Sequence, residues 1–318
     1  MTRYDVFNGD ADGLCALHQL RLDEPADSVL VTGVKRDIAL LQRVSASADD
    51  AITVLDVSLD KNRDALQAVL DAGASVRYID HHAPGEIPSH ERLTTHIDTA
   101  ATTCTGLIVN RLLEGRHRAW AATAAFGDNL FDSARDVAAD LSLSGAQLAT
   151  LQELGMLMNY NGYGATLADL LFEPAALYRR IAPYADPLAF VQEDDAFATL
   201  QQGYADDRAH VDALQAEHAG ETTALYRLPD AAWARRIGGV WANELAQGAA
   251  GRAHALLTER ADGAFVVSVR APLQERDGAD ELCGQFETGG GRKAAAGINR
   301  LPGDEVERFT QAFVQRYG

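Results

Sequence analysis

Apolar and polar blocks alternate along the first half of the chain at the spacing of strands and helices. Residues 4–8 (YDVFN) form a short apolar run that ends in a polar turn, and residues 13–22 follow with Leu14, Leu17 and His18 at helical spacing. Residues 28–33 (SVLVTG), 51–55 (AITVL) and 75–79 (SVRYI) read as three more strands, the last two ending at Asp56 and Asp80. Between them, residues 37–44 read as a helix, and residues 61–72 as an amphipathic helix closed by Gly73. Residues 103–113 and 120–126 are helical, the second running into Gly127-Asp128. Strands alternating with helices in this way predict a parallel, doubly wound α/β sheet, which binds ligands beyond the carboxyl ends of its strands.

The pattern then changes. Residues 135–222 read as mostly helical and alanine-rich, with interruptions at Pro174, Pro183 and Pro187 and a connecting helix over 195–218. Strands return at 253–257 and 264–269, followed by Gly289-Gly290-Gly291, by Arg292-Lys293-Ala294-Ala295-Ala296-Gly297, and by a helix from Asp304. The expected organisation is a first domain over 1–194, a linker helix within 195–222, and a smaller α/β domain over 223–318. A length of 318 residues agrees with two domains, being more than one hydrophobic core usually serves.

Charge sharpens this division. The chain has 28 basic and 46 acidic residues, a formal net charge of −18, yet residues 223–318 hold 12 acids and 12 bases and are neutral. The acidic excess therefore sits in the first 222 residues. Such a balance weighs against gripping long DNA or RNA by bulk attraction, which needs a basic footprint. A hydrophobic content of 47% supports packed cores rather than disorder. No apolar run approaches the ~20 residues of a membrane helix, so no membrane partner is expected. The first residues, MTRYDVFNGDADG, carry charges where a signal peptide is apolar. Cys15, Cys104 and Cys283 lie far apart, an odd number with no C-x-x-C; this argues against a disulfide framework or cysteine metal site, and for the cytoplasm.

Candidate chemistry collects at the strand ends. Taken singly, each group has an ordinary reading: Asp10 and Asp12 are acids in a glycine-bounded turn, Asp56 is a helix cap, and Asp128 is a loop acid. Asp80-His81-His82 mixes carboxylate and imidazole donors that suit Mn²⁺ or Mg²⁺ more than structural zinc. Taken together, they occur in order at the ends of successive α/β units. Asn8-Gly9-Asp10-Ala11-Asp12-Gly13, Leu55-Asp56, Ile79-Asp80-His81-His82 and Gly127-Asp128-Asn129 then resemble the four N-terminal motifs of the DHH phosphoesterase family. Thr102-Thr103-Cys104-Thr105-Gly106 is similar to that family's Ser/Thr-rich helix start. Gly289 to Gly297 is similar to the glycine-rich signature of the DHH-associated substrate-binding domain, with Ser268-Val269-Arg270 as the strand before it. The likeness covers nearly the whole chain.

The resemblance implies a phosphoesterase with two divalent cations, Mn²⁺ preferred and Mg²⁺ an alternative. Asp10 and Asp56 would hold the first ion. Asp12, Asp56, His81 and Asp128 would hold the second, with Asp56 bridging. Asp80 would orient His81, and His82 would face the scissile phosphate. Val6 stands where many members carry a histidine ligand, and Asn8 would replace it through its amide oxygen or a water. In the second domain Arg270, Gly289, Gly290, Gly291, Arg292 and Lys293 would bind substrate; Arg292-Lys293 replaces the histidine of the nuclease branches. The substrates implied are short oligonucleotides, linear dinucleotides or nucleotide bisphosphates such as pAp. A RecJ-type 5′-to-3′ single-strand exonuclease, a pyrophosphatase or polyphosphatase, and a nucleotide-binding regulator without turnover are the alternatives. A homodimer is left open. His18 and Cys15 read as packing residues, residues 160–164 as an aromatic loop, and Arg235-Arg236 as a solvated pair.

Overall fold

Strands β1 (Arg3–Phe7), β2 (Val29–Val31), β3 (Ala51–Leu55), β4 (Ser75–Asp80) and β5 (Leu93–Ile97) pair in parallel, in the order β2-β1-β3-β4-β5. Strand order reverses between β1 and β3. At such a switch point the flanking connections leave in opposite directions and a crevice opens at the carboxyl ends. The residues after β1 and β3 are the Asn8–Gly13 turn and Asp56, so the fold itself sends the candidate acids there. The computed structural model describes residues 1–318 and divides into two units, Met1–Gly203 and Tyr204–Gly318.

The first sheet is covered by helices. α1 (Ala11–Asp23) is buried at every position from Ala11 to Leu20, because it lies beneath a second layer of helices rather than at the surface. After α2 (Leu59–Asp71), that layer comprises α3 (Thr105–Leu112), α4 (Arg118–Gly127), α5 (Phe131–Ala138) and α6 (Gly145–Gly162). The alanines of α4 allow it to pack closely against α1, α3, α5 and α6. α7 (Pro174–Ile181), α8 (Pro187–Glu193) and α9 (Ala196–Asp212) follow, the division between units falling inside α9. The other side of the sheet, Val6, Ile52, Val54, Val76 and Tyr78, packs on Leu66, Val69 and Leu70 of α2 and on Leu40 and Leu41.

Several sequence expectations are corrected. Residues 37–44 form a single 3₁₀ turn, Leu40–Arg43, not a helix. The cause is Asn62 of α2: its side chain accepts from the Leu41 N–H and donates to the Ile38 carbonyl, so this backbone is satisfied without a helical ladder. Strand β5 (LTTHI) was not expected; as a half-buried edge it carries polar residues. Pro174 and Pro187 start helices rather than interrupt one, since a first-turn N–H is unpaired in any case. Tyr160 and Asn161 are the buried end of α6, not a loop. Arg236 is no solvated residue: it grips buried Asp207 through two bonds of 2.8 Å.

The second unit contains a mixed sheet in the order β10-β11-β9-β8-β7-β6. Its elements are β6 (His218–Ala219), β7 (Thr223–Leu228), α10 (Ala232–Gly248), β8 (Ala253–Glu259), β9 (Phe265–Arg270), α11 (Ala279–Cys283), β10 (Gly289–Arg292), β11 (Ala295–Leu301) and α12 (Val306–Tyr317). Alternation settles its two faces. Val267 and Val269 of β9, Ala296 and Ile298 of β11 and Ala255 and Leu257 of β8 join Phe309 and Phe313 in the core. The glycine run is the strand β10, paired antiparallel with β11 across a tight turn at Lys293-Ala294.

Candidate metal centre

The turn after β1 is drawn tight by Gly13, where a Cβ would lie 2.2 Å from the Asn8 carbonyl oxygen. Asp10 caps α1. Its Oδ1 accepts from the N–H groups of Asp12 and Gly13 at 3.1 and 3.2 Å. Asp12 then lies on the first turn of α1, facing the start of α3. Both its oxygens are held there, Oδ2 by the Thr105 N–H at 2.8 Å and Oδ1 by the Gly106 N–H at 2.7 Å. A helix N-terminus suits a carboxylate, because its first N–H groups have no helical partner. Asp56 leaves β3 at φ 58°, a left-handed conformation uncommon outside glycine. Its Oδ1 accepts from the Thr105 hydroxyl at 3.3 Å. Thr105 and Gly106 thus order two acids that follow different strands.

His81 Nδ1 lies 3.1 Å from the Thr103 carbonyl oxygen. A carbonyl can only accept, so Nδ1 carries a proton and Nε2 is the nitrogen turned toward a cation. That Nε2 stands 3.4 Å from Asp56 Oδ1 and 3.9 Å from both Asp12 Oδ2 and Asp128 Oδ2. Asp80 does not orient His81, contrary to expectation. Its Oδ1 is 2.7 Å from His82 Nδ1 instead. The reason is parity: residues two apart in extended chain share a side, and neighbours do not.

Asp10, Asp12, Asp56 and Asp80 are buried, whereas His81, His82 and Asp128 are partly open. Burial, followed by the neighbouring carboxylates of Asp12, Asp10, Asp128 and Asp80, pushes the Asp56 carboxyl well above its usual range. Burial and Asp12 push Asp128 up to about 6, although Lys35 opposes this. The hydrogen bond to Asp80 raises the His82 pKa against the effect of burial. Acids that resist ionisation together form a donor set made for positive charge. Ligand atoms of Asp12, His81 and Asp128 lie within 4.8 Å of one another, as do those of Asp56, His81 and His82. Carboxylates with one or two imidazoles fit a hard divalent ion.

Sequence reasoning missed Lys35. Its Nζ donates to Asp10 Oδ2 at 2.5 Å and to Asn159 Oδ1 at 2.7 Å, and sits 5.5 Å above the Tyr163 ring. Burial alone would raise Asp10, but the Lys35 ammonium outweighs it and holds that carboxyl below its usual range. The one available hint was rarity, as the chain has only three lysines. Asn8 touches the same loop: its Nδ2 donates to the Lys35 carbonyl at 3.2 Å, and its Oδ1 accepts from the Asp10 N–H at 3.3 Å.

No protein-family model matches this chain, and no curated protein does. Solved structures do. A RecJ exonuclease bound to manganese superposes with a TM-score of 0.61 at 17% identity, over 99% of this chain and 89% of that one. The chain has the fold of RecJ. RecJ from Thermus thermophilus in complex with Mn²⁺ gives 0.59 at 18%, over 99% of this chain, which spans about half (52%) of that one. PggH, a pGpG-specific phosphodiesterase from Vibrio cholerae, gives 0.56 at 16%, over 99% and 98%. No helix of this RecJ-like fold is long and apolar enough to cross a membrane.

One prediction follows from the acid cluster. Asp128 has a pKa of about 6 in the folded chain against an ordinary 3.8. Without a cation the folded state therefore binds this proton more tightly than the unfolded state, and stability falls as pH rises from about 4 to about 6. A cation must displace the proton and offsets the repulsion that remains above that range. Saturating Mn²⁺ is expected to raise Tm more at about pH 7.5 than at about pH 5. Equal shifts in a thermal melt would place Asp128 outside the ion's reach.

Proposed function

We propose that this chain is a metal-dependent phosphoesterase acting on short phosphorylated nucleotides: short oligonucleotides, linear dinucleotides or nucleotide bisphosphates. The observation that carries this reading is that carboxylate oxygens of Asp12, Asp56 and Asp128 all stand 3.4–3.9 Å from His81 Nε2 at the switch of the sheet, with His82 at its open side. When bound there, a divalent cation, Mn²⁺ by preference, supplies a water of lowered pKa and Lewis-acid contact with a phosphate oxygen. The chain's own groups do the rest. The N–H groups at the start of α3 keep Asp12 aimed before any ion arrives. Thr103 holds His81 in the ligating tautomer. His82, whose pKa is raised by its hydrogen bond to Asp80 and which is 45% exposed, donates in its protonated form to a phosphate or leaving-group oxygen.

The second unit supports the choice of substrate by its own surface. Gly290, Arg292, Ala295, Gly297, Ser268 and Arg270 share the face of the sheet opposite the core. Arg292 pairs across the ladder with Ala295, and Ala295 with Arg270, so two guanidinium groups flank a residue with almost no side chain. A Cβ on Gly290 would meet nothing within 4 Å, which leaves that surface for a ligand. Arg270 is aimed by Asn243, whose Oδ1 accepts from Nε at 2.8 Å. Lys293 is instead 3.0 Å from Asp277, an exposed pair that draws on its charge. Arg292, exposed and bonded to no other group, is the better anion contact.

The net charge of −18 favours small substrates over polymers held along a surface. The deciding experiment is a Mn²⁺-supplemented assay on a linear dinucleotide, pAp, short and long single strands, and pyrophosphate. Release of mononucleotide from the dinucleotide, or phosphate from pAp, supports the reading. Preferential digestion of long strands points to a RecJ-type exonuclease, and turnover of pyrophosphate alone to a pyrophosphatase. Binding of nucleotide with no turnover of any of them would sink the enzyme reading in favour of a regulator. Arg292→Ala is expected to raise KM about ten- to a hundredfold, the equivalent of a charged hydrogen bond of ~1.5–3 kcal/mol. Calorimetric Mn²⁺ affinity should not change; if it does, Arg292 acts elsewhere.

A further inference from the structure

Asp10 stands where the sequence resemblance implies a ligand of a first ion, yet its Oδ2 faces an ammonium. Lys35 Nζ is 2.5 Å from Asp10 Oδ2, 2.7 Å from Asn159 Oδ1 and 3.9 Å from Asp128 Oδ1. The lysine is not a stray surface side chain. Its backbone is fastened on both sides, its N–H donating to the Gly162 carbonyl at 2.8 Å and its own carbonyl accepting from Asn8 Nδ2 at 3.2 Å.

The other donors that a first ion would need are missing or committed. Val6 is apolar and fully buried in the core. The Asn8 amide oxygen accepts from the Asp10 N–H, and its amide nitrogen holds the lysine loop. Asp10 Oδ1 already takes two N–H groups of α1. Neither group of converging ligand atoms includes Asp10. With the Lys35 ammonium on Asp10 Oδ2, the residues present therefore leave no place for a first cation, although those around His81 Nε2 fit one.

We propose, building on the metallohydrolase reading above, that the Lys35 ammonium permanently takes the place of the first cation, so that the chain works with one divalent ion and one built-in positive charge. An ammonium is a compact point charge with three donors. Two of the three are placed on Asp10 and Asn159. The third has no partner within hydrogen-bond reach in the protein, and the side chain is 26% exposed, so it is available to an oxygen of the substrate phosphate. Asp10 is then the counter-charge that positions Lys35, not a metal ligand.

The test counts ions and does not depend on turnover. Wild-type protein is titrated with Mn²⁺ by calorimetry, and the loaded protein is examined by electron paramagnetic resonance. The expected result is one ion per chain, with the spectrum of an isolated ion. K35M and K35Q, each first checked for wild-type circular dichroism, are expected to take up a second ion and to show the exchange splitting of a coupled pair. D10N is expected to keep one ion with affinity changed by less than about tenfold, whereas D12N loses it. Two coupled ions in the wild type would overturn the inference and leave the metallohydrolase reading standing, since the lysine would then have moved aside. No bound ion at all would overturn both. One ion in folded K35M and K35Q would also overturn it, by showing that the ammonium is not what excludes the second.

Discussion

Asp56→Asn is expected to lower kcat by about a thousandfold or more while making the metal-free protein more stable. The first half rests on position. Asp56 ends the central strand β3, is turned into the site by a left-handed backbone, and is 3.4 Å from the ligating nitrogen of His81. Its loss removes charge from the cation's surroundings, and an effect of several kcal/mol corresponds to about three powers of ten in rate. The second half rests on crowding. Burial and four nearby carboxylates hold the Asp56 carboxyl well above its ordinary pKa, so above the ordinary carboxylate range keeping this group in the fold costs stability until a cation arrives. An amide of the same shape relieves that repulsion, a case of stability traded for activity. Steady-state kinetics and a metal-free thermal melt give the two readouts. Retained turnover would remove Asp56 from the mechanism, and a lower melting temperature would mean that its charge is already matched.

His82→Gln is expected to lower kcat by about a hundred- to a thousandfold with little change in Mn²⁺ affinity, the usual worth of a positioned proton donor. The signature is in the pH profile. The Asp80 hydrogen bond raises the His82 pKa, so the protonated, active form is lost only as pH rises through that higher value. Wild-type kcat should therefore fall on an alkaline limb above the ordinary histidine range, and the glutamine variant should lack this limb. Asp80→Asn, which weakens the support without removing the imidazole, should move the limb to lower pH. A limb that persists in His82→Gln belongs to another group. A limb unmoved in Asp80→Asn would make Asp80 a structural residue only.

Much of this site could be read from the sequence because strand ends and acids coincide. Apolar runs at residues 4–8, 51–55 and 75–79 are followed at once by Asp10/Asp12, Asp56 and Asp80-His81-His82, and a parallel sheet brings such positions together whatever the loops do. What escaped was carried by groups without a signature. The Thr103 carbonyl and the Thr105 and Gly106 N–H groups are backbone and could come from any residue type. Lys35 lies in an irregular loop after β2, where no periodicity points to it, and Asn159 is brought near by the packing of α6. The role of Asp80 was within reach of elementary geometry, since it and His82 are two apart. In the second unit, β7 and α10 were not foreseen, and the glycine run proved to be an edge strand whose open face could be assigned only once its register was known.

The two N–H groups that grip Asp12 have an entropic consequence. They belong to the first turn of α3, so folding that helix and aiming the carboxylate are a single event. Thr103, just before it, fixes the imidazole of His81 in the same stroke. An ion diffusing in meets ligands whose freedom was lost when the chain folded, and capture orders almost nothing further. Affinity at this centre is then decided by the exchange of water for protein oxygen and nitrogen. Swapping one divalent ion for another becomes a question of how its size and hydration match ligands already fixed in place.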